Sequence, residues 1–421
     1  MAGSCNKEFM MAQRNVKRAR ADASVRGGGE RAHEVRPDER RRIDVPDYES
    51  IALVLQGGGA LGAYQAGVYE GLHEVGILPN RFCGISIGAL NTAILAGNAP
   101  EHRVDKLREF WELICQPAYG PPMPPFIEQM LFGSNDTMRK AVTAMQAVGA
   151  LVDGQKGFFV PRFPPPMPTG SGSVLTASYY DTAPLKATLE RFCDFDRINS
   201  LETRVSVGAV NVGTGNFAYF DNRHTTLQPE HFMASGALPP GFAAVEIDGE
   251  YYWDGGLMSN TPLREVIQTS PRCDTLAFQV DLWSARGRVP DNITDVQGRM
   301  KDIQYSSRTR IVTDMMQHTQ RFRHVLREVL MRVPAEHRHD PWCKLAEELS
   351  CSKRYNVLHL VYRDKEYEGN YKDYQFGLST MREHWESGLQ DIRESLSQPG
   401  WLDMPDNDSG FVTHDIHRDH R

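Results

Sequence analysis

Two stretches built on one plan constrain this chain more than anything else in it: "SIALVLQGGGALGAYQAG" from Ser50 and "RFCGISIGALNTAILAG" from Arg81. In each, a short apolar run of strand length meets glycine, and small or apolar residues at helical spacing follow. Strand, helix, strand and helix in succession put the two strands side by side and parallel, because a crossover of this length carries the chain back to the same end of a sheet. The expected class is α/β: a mostly parallel sheet with flanking helices.

The pattern breaks and resumes. "QPAYGPPMPPF" and "PRFPPPMPTGSG" frame an insertion over residues 116–172, where proline removes donors and fixes φ, so regular sheet is not expected. A helix at "APLKATLERF" and strands at "RVSVGAVN", "FAYFD" and "DTLAFQVDL" then follow. From about residue 286 the composition shifts to charged helix, interrupted by the alternating strand "YNVLHLVY". A last helix places Met381, Trp385, Leu389, Ile392 and Leu396 on one face, and Thr380 with Glu383 reads as its capping box. The expected organisation is a tail over 1–48, a catalytic domain over 49–285 and a mainly helical extension over 286–421 that packs on it.

Composition narrows the setting. Apolar residues at 40% and charged residues at 24% describe a globular protein, and a net charge of −7 argues against nucleic acid as the partner. No apolar run reaches the length of a membrane span, and the N-terminus lacks the apolar core of a secretory signal. The first 42 residues hold eleven Lys or Arg against six Asp or Glu, which reads as a solvated arm or as a contact to an anionic membrane surface. Seven scattered cysteines without a C-x-x-C pair read as reduced thiols, so a cytoplasmic protein, peripheral to the membrane at most, is expected.

The chemistry centres on Gly84-Ile85-Ser86-Ile87-Gly88, a G-x-S-x-G strand-to-helix elbow of the kind that exposes a serine hydroxyl. Acyl transfer also needs a base and donors aimed at a developing oxyanion. The Gly57-Gly58-Gly59-Ala60-Leu61-Gly62 loop occupies the matching position of the preceding unit, where unpaired amides open a helix. Parallel strands bring both turns to one rim of the sheet. The same loop fits a dinucleotide fingerprint, but the second strand ends without the acid that a ribose needs. Gly27-Gly28-Gly29 has no flanking strand and is given no function. For the base two readings stand. One is a triad with histidine, whose nucleophile normally comes several strands later. The other is Asp254 in "YWDGGLMSN", which could equally be a simple Asp-Gly turn like Asp153-Gly154 and Asp248-Gly249.

Together "GGGALG", "GISIG" and "DGG", with "MASGALPPGF" before the last, resemble the patatin-like phospholipases over roughly residues 50–285. The C-terminal third is similar to an extension found in a bacterial branch of that family. The resemblance implies a three-layer α/β/α fold and a serine acyl hydrolase, phospholipase A- or lysophospholipase-like, acting on a lipid or other acyl ester. It implies Ser86 as nucleophile, Asp254 as base and the Gly57–Gly59 amides as oxyanion hole. Gly62 completes the loop, Gly84 and Gly88 flank the elbow, and Gly255 and Gly256 follow the aspartate. Leu61 departs from the family, where Arg or Lys is common at that position. No cofactor or metal is expected, since the fourteen histidines show no ligand spacing and His414, His417 and His420 read as solvent-exposed. A silent lipid- or protein-binding scaffold on the same fold is the alternative. The apolar side chains of the insertion (Met123, Phe126, Met130, Leu131, Phe158, Phe159, Phe163 and Met167) are expected to line a channel for an acyl chain, the other reading being that the segment packs on the C-terminal helices as core.

Overall fold

The computed structural model describes residues 42–119, 136–166, 172–306, 309–365, 367–406 and 410–416, with Pro124, Ile127 and Met130. The basic tail to Arg41, with Cys5 and Gly27 to Gly29, lies outside the described residues, as do Met123, Phe126, Leu131, Met167, His417 and His420.

The strands are β1 (Ser50–Leu55), β2 (Arg81–Gly84), β3 (Val160–Pro161), β4 (Tyr180–Asp181), β5 (Arg204–Asn211), β6 (Phe217–Asp221), β7 (Val245–Ile247), β8 (Glu250–Asp254), β9 (Thr275–Asp281), β10 (Tyr355–Val361) and β11 (Phe411–His414). The first helices are α1 (Ala63–Glu74), α2 (Ile87–Ala96), α3 (Arg103–Ile114), α4 (Asp136–Asp153), α5 (Ala183–Phe192) and α6 (Phe195–Asn199). After them come α7 (Pro229–Ser235), α8 (Leu263–Gln268), α9 (Ile293–Tyr305), α10 (Thr309–Arg332), α11 (Pro341–Leu349) and α12 (Leu378–Ser397).

Strands β11, β10, β9, β1, β2 and β5 lie in that order and all run parallel. β6 and β8 run antiparallel to β5, and β7 pairs with β8. The register around β5 positions the site. Ser206 and Val207 pair with β2 and β6 at once, whereas Ala209 and Val210 pair with β6 and β8. Since a strand has two edges, β2 and β8 must share one of them. β8 therefore runs head-on toward the end of β2, and Asp254 arrives opposite Ala209, two positions beyond the Gly84–Val207 pair.

Side chains on β1 alternate between two cores, as a strand covered on both faces requires. Leu53 and Leu55 join the larger core, beneath α1, α2 and α3. Ala52 and Val54 join the smaller one, with Leu263 and Val266 of α8 and Met316 of α10. This is the expected three-layer α/β/α fold. The C-terminal portion is largely helical and also extends the sheet: β10 pairs with β9 over its whole length, and β11 pairs with β10. Met381, Trp385, Leu389 and Ile392 of α12 are buried as their spacing requires. α12 crosses α1 so closely that a Cβ on Gly67 would collide with the Trp385 carbonyl, and one on Gly388 with the Tyr64 carbonyl.

Three local expectations are corrected. α12 begins at Leu378 behind Gly377, so Thr380 and Glu383 make no capping box; Glu383 instead pairs with Arg139 and accepts from the Tyr367 hydroxyl. Phe158 and Phe159 are core residues, 8% and 3% exposed, because Phe242, Tyr180 and Phe376 of the C-terminal portion close around them. His414 is half-buried and stacks on Trp401, 5.1 Å between ring centres, since it belongs to β11. Among the described residues no helix is long and apolar enough to cross a membrane.

Candidate active site

Ser86 holds φ 56° and ψ −126°, a backbone conformation that a residue with a side chain rarely adopts, between the end of β2 and the start of α2. Its N–H donates both to the carbonyl oxygen and to the hydroxyl of Ser235 at the end of α7, each at 3.1 Å. The Ser235 hydroxyl in turn donates to the Gly208 carbonyl at 2.6 Å, at the point where the edge of β5 changes partner from β2 to β8. The turn is too tight for flanking side chains: a Cβ on Gly84 would strike the Gly88 carbonyl, and one on Gly88 the Leu55 carbonyl. Strain of this kind persists only where its surroundings over-determine it.

The glycine loop lies against the elbow. A Cβ placed on Gly57 would stand 2.8 Å from the Ser86 Cβ. The Gly57 carbonyl accepts from Asn260 Nδ2 at 3.0 Å and Trp283 Nε1 at 2.8 Å. In a trans peptide the following N–H, that of Gly58, points the opposite way. The N–H groups of Gly57, Gly58 and Gly59 have no acceptor among the described residues. Gly62 packs on Ile87, which joins the end of the loop to the first turn of α2. Leu61 is fully buried.

Buried amides hold the loop from behind. The Gln56 carboxamide accepts from the N–H groups of Leu282 and Trp283 at 2.5 and 3.0 Å and donates to Thr261 Oγ1 at 2.9 Å. Gln65 Nε2 donates to the Gln56 carbonyl at 2.7 Å. Asn91 Nδ2 donates to the Gly62 carbonyl at 3.0 Å and to Gln65 Oε1 at 2.9 Å.

Asp254 ends β8, is 2% exposed, and lies near enough to the Ser86 side chain for the serine hydroxyl to favour its ionised form. The Gly256 N–H donates to its Oδ1 at 2.6 Å, and Gly255 passes under the Gly208 carbonyl, which a Cβ there would meet at 2.6 Å. Burial pushes the Asp254 carboxyl up to about 7, against the downward pull of the Ser86 hydroxyl and the Gly256 amide. Asp153 and Asp248 differ in kind: both are exposed, and the glycine after each has φ near +80° (82° at Gly154, 81° at Gly249). Asp254 is not a turn residue of that sort.

All ten positions expected from the sequence thus come together at one rim of the sheet. Ser235, Asn260, Trp283, Gln56, Gln65 and Asn91 were not anticipated. Polar Gln65 and Asn91, each amid mostly small and apolar neighbours, were the available signal; Ser235 and Trp283 left none. Among the described residues, no three His, Cys, Asp or Glu side chains gather as a metal ion would require.

A family model described as patatin-like phospholipase matches residues 53–267, just over half of the chain, and a second, described as patatin phospholipase, matches 303–408. The chain is 41% identical over 77 residues to the triacylglycerol lipase ptl3 of Schizosaccharomyces pombe, which is 17% of this chain and 16% of that protein. It is 27% identical over 233 residues to a cGAMP-activated phospholipase of Pseudomonas aeruginosa, 52% of this chain and 55% of that one. It therefore spans about half the length of the second relative and far less of the first. Among solved structures, VipD from Legionella pneumophila shares 15% identity over 85% of this chain and 72% of its own, with a TM-score of 0.31. On the match that covers Gly57, Ser86 and Asp254 together, the chain belongs to the patatin-like phospholipase family.

Proposed function

We propose that this protein is a lipid acyl-ester hydrolase in which Ser86 is the nucleophile, Asp254 its base and the Gly57–Gly59 amides the oxyanion donors. One observation carries the reading. A buried carboxylate, brought by β8 close to the serine of a strained elbow, stands beside a row of amides that have no acceptor among the described residues. An ordinary Asp carboxylate, with a pKa of roughly 4, is a weak base for a serine. Burial raises Asp254 to about 7, close to the value at which a general base works best near neutral pH.

The Ser86 oxygen attacks the ester carbonyl carbon while its proton passes to Asp254. The carbonyl oxygen becomes an oxyanion and takes hydrogen bonds from the loop amides. The bond to the alcohol breaks, Asp254 returns the proton to the departing oxygen, and an acyl-Ser86 remains. Water then gives its proton to Asp254 as its oxygen attacks the acyl carbon, and Ser86 leaves with that proton, releasing the acid. Residues 49–285 carry all the reacting groups in this scheme, and residues 286–421 support them. The relatives named for lipase and phospholipase activity support a lipid ester as substrate.

Ser86→Ala tests the reading directly. It is expected to lose both fluorophosphonate labelling and hydrolysis of a lipid panel while keeping the wild-type melting temperature. Wild-type protein that neither labels nor hydrolyses any ester would instead mark a silent scaffold.

A further inference from the structure

The C-terminal portion grips the glycine loop at two adjoining residues. Gly59, with φ 56°, lies beneath the Asp373 carbonyl, where any Cβ would collide with it. One residue on, the Ala60 carbonyl oxygen faces His384 Nδ1 of α12 at 3.3 Å. His384 Nε2 faces Glu368 Oε1 at 2.6 Å, and both side chains are fully buried. Glu368 also accepts the Tyr362 hydroxyl, 2.8 Å from each of its oxygens, and the Lys365 N–H at 2.8 Å.

Counting hydrogens fixes the ring. A carbonyl oxygen only accepts, so Nδ1 must carry a hydrogen. A contact of 2.6 Å between Nε2 and a carboxylate oxygen needs one proton between them, whichever atom holds it. The imidazole therefore cannot flip or exchange tautomers without breaking one of its two bonds. Apolar side chains of similar volume often pack as stably as such a buried pair, so stability alone gives no reason for it. Among the described residues, the pair's one hydrogen-bonding contact outside the C-terminal portion is with the carbonyl of the glycine loop.

We propose that His384 is a positioning residue for ester hydrolysis. Locked by Glu368, it fixes the Ala60 carbonyl and so sets the aim of the Gly57–Gly59 amides. This rests on the oxyanion role given to those amides above.

The test compares three full-length proteins on a soluble p-nitrophenyl ester: wild type, His384→Gln, and an apolar replacement carrying Glu368→Leu, His384→Met and Tyr362→Phe together. A trifluoromethyl ketone, which adds to the serine as a tetrahedral oxyanion, reports the hole itself. Both variants are expected to lose about a hundredfold in kcat, the scale of an ångström of misplacement, with KM almost unchanged. Ketone affinity is expected to fall by the same factor as kcat/KM, while the apolar variant melts no lower than wild type. A folded apolar variant with wild-type kcat, or a kcat loss that leaves ketone affinity untouched, overturns the proposal. Should that variant not fold, His384→Gln is judged by the same ratio. Nitrogen NMR of the wild-type histidines adds a reading free of mutation: tautomer-averaged His384 nitrogens also overturn it. Ser86→Ala keeps the two levels apart. If turnover survives in Ser86→Ala, the site assignment itself fails; if that variant is inert and the apolar variant is fully active, only the role of His384 fails.

Discussion

The N–H of Ser86 is held by Ser235, 149 positions away, through both its carbonyl oxygen and its hydroxyl at 3.1 Å. A non-glycine residue at φ 56° costs on the order of 1–3 kcal/mol and needs such a restraint. Ser235→Ala removes one of the two acceptors and leaves the buried Gly208 carbonyl without its donor. The expected cost is about 1–3 kcal/mol of stability. The Ser86 hydroxyl should also become less well aimed, so fluorophosphonate labelling is expected to slow about tenfold. A lower melting temperature with an unchanged labelling rate would show that Ser235 serves the fold alone.

Asp254 sets two pH dependences of opposite sense. In the proposed role of base it would work only when ionised, so kcat/KM is expected to rise with pH to a plateau, half-maximal near 7. Stability runs the other way. The folded value is raised above the ordinary 3.8, so between about pH 4 and 7 the folded chain holds a proton that the unfolded chain has released. Stability is lost as pH rises through that window and stays lost above it. Asp254→Asn, which never ionises, should abolish turnover and melt higher than wild type at pH 8, by a few kcal/mol at most. At pH 4 the two proteins should melt together. An activity midpoint near 4, with no gain for the amide at pH 8, would remove the buried-base account.

Phe158 and Phe159 now carry a different expectation. Their rings lie 5.9 Å from Phe376 and 4.9 Å from Tyr180, between the insertion and the C-terminal portion. Replacing either with serine should cost about 3–5 kcal/mol, the range for removing a buried aromatic ring. Short- and long-chain esters should lose turnover equally. A selective loss on the long-chain ester at an unchanged melting temperature would restore the channel reading.

Elements that depend on local pattern were legible in the sequence. "RVSVGAVN" is β5 residue for residue, because valines alternating with other residues between turn signals have little else to become. The residues that gather at the rim of the sheet were legible too, since a tight elbow and a close-packed loop admit few residue types besides glycine. What stayed hidden was long-range pairing. Nothing in "EYYWD" says that β8 takes the edge of β5 that β2 leaves, although this pairing brings Asp254 to Ser86. Phe158 and Phe159 were recognised as apolar and given the wrong surroundings, because hydrophobicity says that a ring is covered and not by what. Likewise the charge of the C-terminal helices obscures how much sheet lies among them.

That last point yields a prediction about where this protein can be cut. A chain ending at residue 285 retains Ser86, Asp254 and the whole glycine loop. It loses β10, which pairs with all seven residues of β9, and α12, which covers α1 through Met381, Trp385, Leu389 and Ile392. β9 would become an exposed apolar edge strand, a template for aggregation. The fragment is therefore expected to be insoluble, or soluble only as aggregates without fluorophosphonate labelling. A point substitution in the full chain tests the same contact more gently. Gly388→Val sets side-chain atoms against the Tyr64 carbonyl, so α12 must lift from α1. Melting temperature and labelling rate are expected to fall together in that variant, since α1 begins directly after the glycine loop. A monomeric 1–285 fragment that labels at the wild-type rate would show instead that the C-terminal portion is dispensable for the site.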